Sequence, residues 1–129
     1  MAPLVRTPDA EKVVIDYLTA VLDAPVHHAI PNPRPDRFVV VRRAGGPMLN
    51  LVADNGMLTI EGYGNGRTDA RDIHDEARSY VRAMRGTTVG GVPIYRVNEV
   101  GGAVFLPDPA STQARFTSTV HVAMRGVAS

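Results

Sequence analysis

The sequence predicts an α+β fold, in which two α-helices pack on one face of a mostly antiparallel β-sheet of about five to six strands. Two stretches carry apolar residues at helical spacing, and short β-runs separated by Gly and Pro turns fill most of the remaining chain. The last run, residues 114–125, alternates in the manner of a strand with one buried face. With 129 residues, the chain is expected to form a single domain, 1–129.

The first helix is predicted to begin at Thr7-Pro8-Asp9, with Thr7 as the N-cap and Pro8 at the first helical position. Pro25 ends it, and residues 26–30 are expected to form a short strand. The apolar stripe of this helix consists of Ala10, Val13, Val14, Tyr17, Leu18, Val21 and Leu22.

A proline-rich segment, residues 31–37, leads into the next strand. Its prolines hold the intervening residues extended and exclude both helix and ladder pairing. Residues 38–43 are apolar on both faces in their middle part, which is typical of a strand covered on two sides. Two hairpins should follow, with turns at Gly45-Gly46-Pro47 and Asp54-Asn55-Gly56 and strands at 48–53 and 57–63.

The glycine-rich residues 62–66 are predicted to be a flexible loop into the second helix, which Thr68 or Asp69 caps and Gly86 ends. Two short strands, 94–100 and 104–106, are expected around Gly101-Gly102, with long loops at 86–93 and 107–113. The helix stripe comprises Ala70, Ile73, Ala77, Tyr80, Val81 and Met84. In the final strand the residues expected on the buried face are Phe116, Ser118, Val120, Val122 and Met124.

Composition argues against several classes of protein. The net charge of +1 gives no bulk electrostatic case for nucleic-acid binding, and three Phe, four Tyr and no Trp make a base-stacking platform improbable. The absence of cysteine excludes disulfides and suits a reducing cytoplasm. We expect neither a signal peptide nor a membrane helix, because no apolar run approaches the roughly 20 residues that a membrane helix needs.

No constellation of residues predicts catalysis, a cofactor or a metal. The glycine loop is GxGxG without a Walker lysine, which does not match a phosphate-binding motif. His27 and His28 are adjacent on a predicted strand and therefore point to opposite faces. No GxSxG motif surrounds any serine. The acidic and basic residues of the second helix are expected to form a solvated face with an Arg71–Asp75 pair.

The order of elements, together with several phrases, resembles the tail terminator proteins of long-tailed (siphovirus-type) bacteriophages, particularly those of actinobacterial hosts. The similarity covers nearly the whole chain and is one of pattern and order, not of a catalytic signature. The phrases are PDAEKVVIDYLTAVL, RPDRFVVVRRAGG, LTIEGYG, DARDIHDEARSYVRAM and LPDPASTQARFTSTVHVAMRG. A composition of 13 Arg against one Lys also fits a GC-rich host.

This resemblance implies a structural virion protein with no catalytic residues and no cofactor. It implies a hexameric ring, assembled in the host cytoplasm, that caps the head-proximal end of the tail tube and stops its polymerisation. The implied partners are the tail tube protein and a head-completion (stopper) protein. DNA would pass through the lumen without sequence-specific binding.

The residues themselves suggest where neighbouring subunits meet. A proline lead-in has little conformational freedom to lose, and Arg42 and Arg43 beside Gly45-Gly46 offer bidentate donors at a flexible tip. By charge, the acidic start of the second helix, with Asp69, Asp72 and Asp75, complements this tip across a heterologous interface. The full set of predicted interface residues is Arg34, Arg37, Arg42, Arg43, Gly45, Gly46, Asp69, Asp72, Asp75, Arg115 and Arg125.

Other functions stay open at this point. A head-completion or neck protein and a tail-tube subunit are also small ring-forming subunits. A small-molecule-binding domain or minor enzyme would need a concave pocket lined by convergent polar groups. A DNA-binding accessory protein would show binding that weakens steeply with salt.

Overall fold

The computed structural model describes residues 4–50 and 52–128, without the side chains of Leu49, Val127 and Ala128. Two helices and nine strands lie within these residues, and the predicted α+β class is confirmed. In chain order they are β1 (Val5–Arg6), α1 (Ala10–Val21), β2 (Val26–His27), β3 (Phe38–Arg43), β4 (Met48–Asn50), β5 (Ala53–Gly64), α2 (Arg67–Ala83), β6 (Thr88–Val89), β7 (Val92–Phe105), β8 (Ala114–Arg125) and β9 (Val127–Ala128).

The main sheet has the strand order β2-β3-β5-β8-β7-β6, with β4 also paired to β5. All of its pairings are antiparallel except β2 with β3, which are parallel. β1 and β9 form a separate two-stranded sheet. None of the described helices is long and apolar enough to cross a membrane.

Both helices cover the same face of the main sheet. Their buried residues, such as Val14, Leu18 and Ile73, join Val41 and Val122 of the strands in one core. The opposite face has only a small apolar cluster, in which the rings of Phe38 and Tyr63 stack with centroids 4.5 Å apart. Neither helix covers that face, and several of its side chains, such as Thr59, Glu61 and Thr119, are half-buried.

The two helical stripes and the last strand are where the sequence predicts. β8 has the predicted bounds, 114–125, and its five expected inward residues are all buried. The helix starts differ, however. Asp9, not Thr7, is the N-cap of α1, because its carboxylate accepts the backbone N–H of Lys12 at 3.0 Å and Pro8 lies before the helix. Gly66, not Thr68 or Asp69, occupies the N-cap position of α2.

The predicted turn at Asp54-Asn55-Gly56 is wrong, because these residues lie inside β5. They pair with Met124, Ala123 and Val122 of β8, and the long ladder outweighs the local Asn-Gly preference. The chain reverses between Asn50 and Ala53 instead. The predicted turn at Gly45-Gly46-Pro47 is also wrong, because β3 and β4 both run antiparallel to β5 and the chain keeps its direction through 45–47, with Gly45 and Gly46 at positive φ.

Four further predictions need correction. Residues 62–64 continue β5, so the flexible loop is reduced to Asn65 and Gly66. Residues 94–100 and 104–106 belong largely to one strand, β7, whose register shifts absorb the double glycine. The predicted strand 26–30 is only β2, and the loop predicted at 86–93 contains β6.

Candidate interaction surfaces

Arg43 is the centre of a hydrogen-bonded cluster at the end of β3. Its guanidinium makes two bonds to the carboxylate of Asp54, at 2.5 and 2.8 Å, and donates to the carbonyls of Gly45 and Gly46. Its backbone N–H donates to the Glu11 carboxylate at 2.8 Å, which ties α1 to the outer edge of β3. Asp54 is only 2% exposed, and its hydrogen bond to the Arg43 guanidinium raises the pKa of Arg43. Within the chain, Arg43 therefore holds the irregular segment after β3 in place.

A second charged row crosses the uncovered face of the sheet. Glu61 on β5 lies 3.3 Å from a nitrogen of Arg42 and 3.8 Å from one of Arg115. The Tyr63 hydroxyl lies 3.2 Å from the same carboxylate, and burial raises its pKa. Arg42 remains partly exposed, with 44% of its side chain accessible. Of the two arginines predicted at the tip, Arg42 is thus the more available to another molecule.

The proline-rich segment is bound to the loop after β7. Arg34 Nη1 lies 2.6 Å from the buried carboxylate of Asp108, and Gln113 donates to the carbonyl of Pro35 at 2.9 Å. The N–H of Ala110, followed by Arg34, lowers the pKa of Asp108. Both segments lack regular secondary structure, and these bonds hold them together.

The acidic residues at the start of α2 are not equivalent. Asp69 pairs with Arg37 at 3.1 Å, and Asp75 makes the predicted pair with Arg71 at 3.6 Å. Asp72 is exposed and has no cation within 4.0 Å in the parts of the chain that the structure describes. Neither Arg42 nor Arg43 meets these carboxylates within one chain.

The glycines of the GxGxG stretch bring α2 onto the sheet. A Cβ on Gly62 would lie 2.6 Å from the Cβ of His74, and one on Gly64 would lie 2.6 Å from the backbone nitrogen of Ala70. The two glycines therefore permit close helix packing, which accounts for the motif without a phosphate. His74 itself is fully buried, and burial lowers its pKa.

A groove of about 670 Å³ lies on the outer side of the helices, between α1 and the segment from the end of α2 to β6. We call it the helix groove. Its charged lining residues are Asp9, Lys12 and Asp16, and the last two form an ion pair at 2.5 Å. Its apolar lining residues are Val13, Tyr17, Ala20, Ala83 and Val89. The sequence places Val13 and Tyr17 in the core stripe, and the structure leaves one side of them uncovered.

β7 is an edge strand for most of its length, because β6 pairs only with Val92 and Pro93. We call residues 100–106 the apolar arm, since none of them has a polar side chain. Its three large exposed residues are Val100, Val104 and Leu106, with 57%, 54% and 50% of their surfaces accessible. Arg67 lies over the ring of Phe105, 4.6 Å from its centroid. The sequence did not predict this segment as an interaction surface, because apolar and polar residues do not alternate along it.

Within residues 4–50 and 52–128, no group of three His, Asp or Glu side chains is arranged to hold a metal ion.

A model of the family described as phage tail termination protein matches residues 6–129. The chain belongs to this family. No curated protein matches it. Membership makes the chain a bacteriophage tail protein, and the role of a tail termination protein is structural.

The predicted interface residues of this tail termination protein fall into separate groups. Arg43, with Gly45 and Gly46, belongs to the cluster around Asp54, whereas Arg34 and Arg37 bind Asp108 and Asp69. Arg115 lies on the uncovered face, and Arg125 is exposed at the end of β8. Their contacts with other subunits remain predictions.

Proposed function

We propose that the chain forms a hexameric ring at the head-proximal end of the tail tube. There it stops polymerisation of the tube and joins the tail to the head-completion proteins, as a structural protein and not as an enzyme. The observation that carries this proposal is the family match over residues 6–129. The whole chain would act as one α+β domain, since the β5–β8 pairing joins strands from both halves of the chain in one continuous sheet.

Two unpartnered surfaces on different elements support self-assembly. A closed ring uses a heterologous interface, so each copy must carry two complementary patches that do not coincide. The helix groove lies between α1, α2 and β6, and the apolar arm lies at the far end of β7. One helix groove and one apolar arm would give each copy the two different patches that a closed ring needs.

A contact between opposite charges on neighbouring subunits is part of the same proposal. Arg42 on β3 and Asp72 on α2 are the predicted partners that retain exposed charge, because Arg43 and Asp69 are engaged within the chain. Arg42→Glu should weaken assembly, and Asp72→Arg in the same chain should restore it. Light scattering on the two variants would measure the masses, and an unaffected Arg42→Glu ring would remove Arg42 from the interface.

DNA would pass through the lumen without sequence-specific binding during injection. A net charge of +1 fits a passage that does not hold DNA tightly. Assembly would occur in the host cytoplasm, with the tube protein and the head-completion protein as partners.

The test is to remove the protein from a phage infection and to count its copies in intact virions. We expect tubes of uncontrolled length without heads when it is absent, and one ring of about six copies where tail meets head when it is present. Copies along the whole tail would make it a tube subunit. Copies on tail-free heads would make it a neck protein, and its absence from virions would overturn a structural role.

A further inference from the structure

We propose that the apolar arm of one subunit binds in the helix groove of the next subunit. This inference rests on the proposed ring and identifies the surfaces through which its subunits meet. The occupant of the groove would be residues 100–106 of a second copy, with Val104 as its central side chain.

The first argument concerns the edge of the sheet. An exposed edge strand presents unpaired backbone groups, and proteins normally protect such an edge with charges, prolines or a covering segment. Glu11 protects the opposite edge by accepting the N–H of Arg43. Residues 100–106 carry no charge and no proline, and the register shifts of β7 at this point leave Val100, Val104 and Leu106 exposed as apolar side chains. Such a segment is expected to be covered in the assembled protein.

The second argument is the fit of the groove. Its volume of about 670 Å³ is within the roughly 300–1,000 Å³ range of sites that enclose small ligands. It can therefore hold several aliphatic side chains of the size of valine and leucine. Its apolar lining comes from both helices and β6, and a groove of this composition matches an arm that carries no polar side chain.

The third argument is charge. The groove has two carboxylates, Asp9 and Asp16, and one amine, Lys12, which already pairs with Asp16. Asp9 caps α1 and makes no ion pair in the described residues. Arg67 stands beside the arm over Phe105, and no described carboxylate lies within 4.0 Å of it. An arm seated in the groove would bring Arg67 towards carboxylates of the next subunit.

Disulfide trapping can test this contact cleanly, because the chain has no cysteine of its own. Val104→Cys lies on the arm and Ala20→Cys lies in the groove, and both positions are exposed. The double variant should give a ladder of cross-linked species that ends at the size of the ring. Each single variant alone should not form the ladder, and a mixture of the two should stop at dimers. Ala20→Cys with Thr112→Cys, an exposed position outside the arm, is the matched control.

A second pair of variants asks whether the contact is needed. Val104→Asp should raise the protein concentration needed for assembly at least tenfold, because it places a carboxylate against the apolar lining of a groove that already holds two carboxylates and one amine. Val52→Asp changes an exposed valine elsewhere, with 46% of its surface accessible, and should assemble normally. Light scattering and circular dichroism, on the purified protein and on isolated tails, measure assembly and fold.

The outcomes separate the two proposals. Rings with the cross-link support both. Rings that form without the cross-link, and that tolerate Val104→Asp, overturn the arm-in-groove contact and leave the ring. Binding of the arm to the tube protein alone, detected as a cross-link of Val104→Cys to a tube cysteine variant, also overturns it. A wild-type chain that never assembles, alone or on tails, removes the ring and the contact with it.

Discussion

His74 Nε2 lies 2.9 Å from Ser118 Oγ, in a buried contact that joins α2 to β8. The other ring nitrogen, Nδ1, has no hydrogen-bond partner among the described residues, although Asp75 Oδ1 is 3.8 Å away. Burial lowers the pKa of His74 below its ordinary value of 6.5, and the nearby Asp75 carboxylate opposes this effect. The folded protein therefore holds a neutral imidazole near pH 7.

This histidine should make stability depend on pH. Below pH 6.5 the unfolded chain binds a proton on His74 more readily than the folded chain, so stability is complete above this pH and falls below it. His74→Gln should flatten the dependence between pH 5 and 8, whereas His28→Gln, at an exposed position, should not. Thermal unfolding across this range is the measurement. Equal slopes for wild type and His74→Gln would show that the proton is taken up elsewhere.

Arg43 and Arg42 are neighbours with different structural roles. Arg43→Met would leave the Asp54 carboxylate buried without its cation, and we expect a loss of about 3 kcal/mol of unfolding free energy. Arg42→Met breaks a more exposed pair with Glu61 and should cost less than about 1 kcal/mol. Urea denaturation of both variants tests the difference. Replacing both arginines by Glu would combine a loss of folding stability at Arg43 with any loss of assembly at Arg42. Arg42→Glu alone is therefore the informative test of the interface.

Gly62 should tolerate no side chain. In Gly62→Ala the new Cβ would lie 2.6 Å from the Cβ of His74 and 2.9 Å from its Cα, so α2 would have to move from the sheet. We expect a loss of about 1–3 kcal/mol. Gly102→Ala is the control, since nothing lies within 4 Å of its Cβ position. If both variants unfold at the same denaturant concentration, the helix is not packed as tightly as the distances indicate.

Asp108 should control the order of the proline-rich segment. Because the pKa of this carboxylate is lowered in the folded protein, its stabilising effect is present above its ordinary value of 3.8 and is lost as the pH falls through the lowered value. Asp108→Asn imitates the protonated form and should accelerate amide exchange in residues 31–37 about tenfold. Asp36→Asn, at an exposed position in that segment, should have little effect. Slow exchange in Asp108→Asn would assign the order of the segment to other contacts.

Periodicity predicted the layers of this fold well. The stripes of α1 and α2 and the alternation of β8 depend on which side chains can be buried, and burial follows directly from residue type and spacing. Val14 and Ile73 are therefore in the core as expected. The α+β class follows from these elements and from their order.

Local turn signals were less reliable, because long-range pairing overrode them. Asn55-Gly56 is a strong hairpin signal, yet both residues pair across β5 with Ala123 and Val122. Gly62 and Gly64 were predicted to be flexible, but both lie in β5. Glycine is needed at these positions because the backbone of α2 comes within 3 Å of where a Cβ would be. A glycine's reason for being present depends on what packs against it, and that partner is distant in the sequence.

The surfaces were the hardest part to predict. Charge suggested the arginines of 34–43, but sequence could not tell that Arg34, Arg37 and Arg43 have partners within the chain. The groove and the arm depend on surface that neighbouring elements leave uncovered. Such uncovered surface becomes visible only when the positions of α1, α2 and β7 are known.

Lys12 is the only lysine and lies in the helix groove, so an amine-reactive reagent can label the native chain at this groove. An amine-reactive fluorophore would find one side-chain target in the described residues, without any mutation. The hydrogen bond to Asp16 raises the pKa of Lys12, so its amine is protonated and slow to react until the solution is clearly alkaline. A dye coupled there would report directly, by its emission, on whatever enters or leaves the groove while tails assemble.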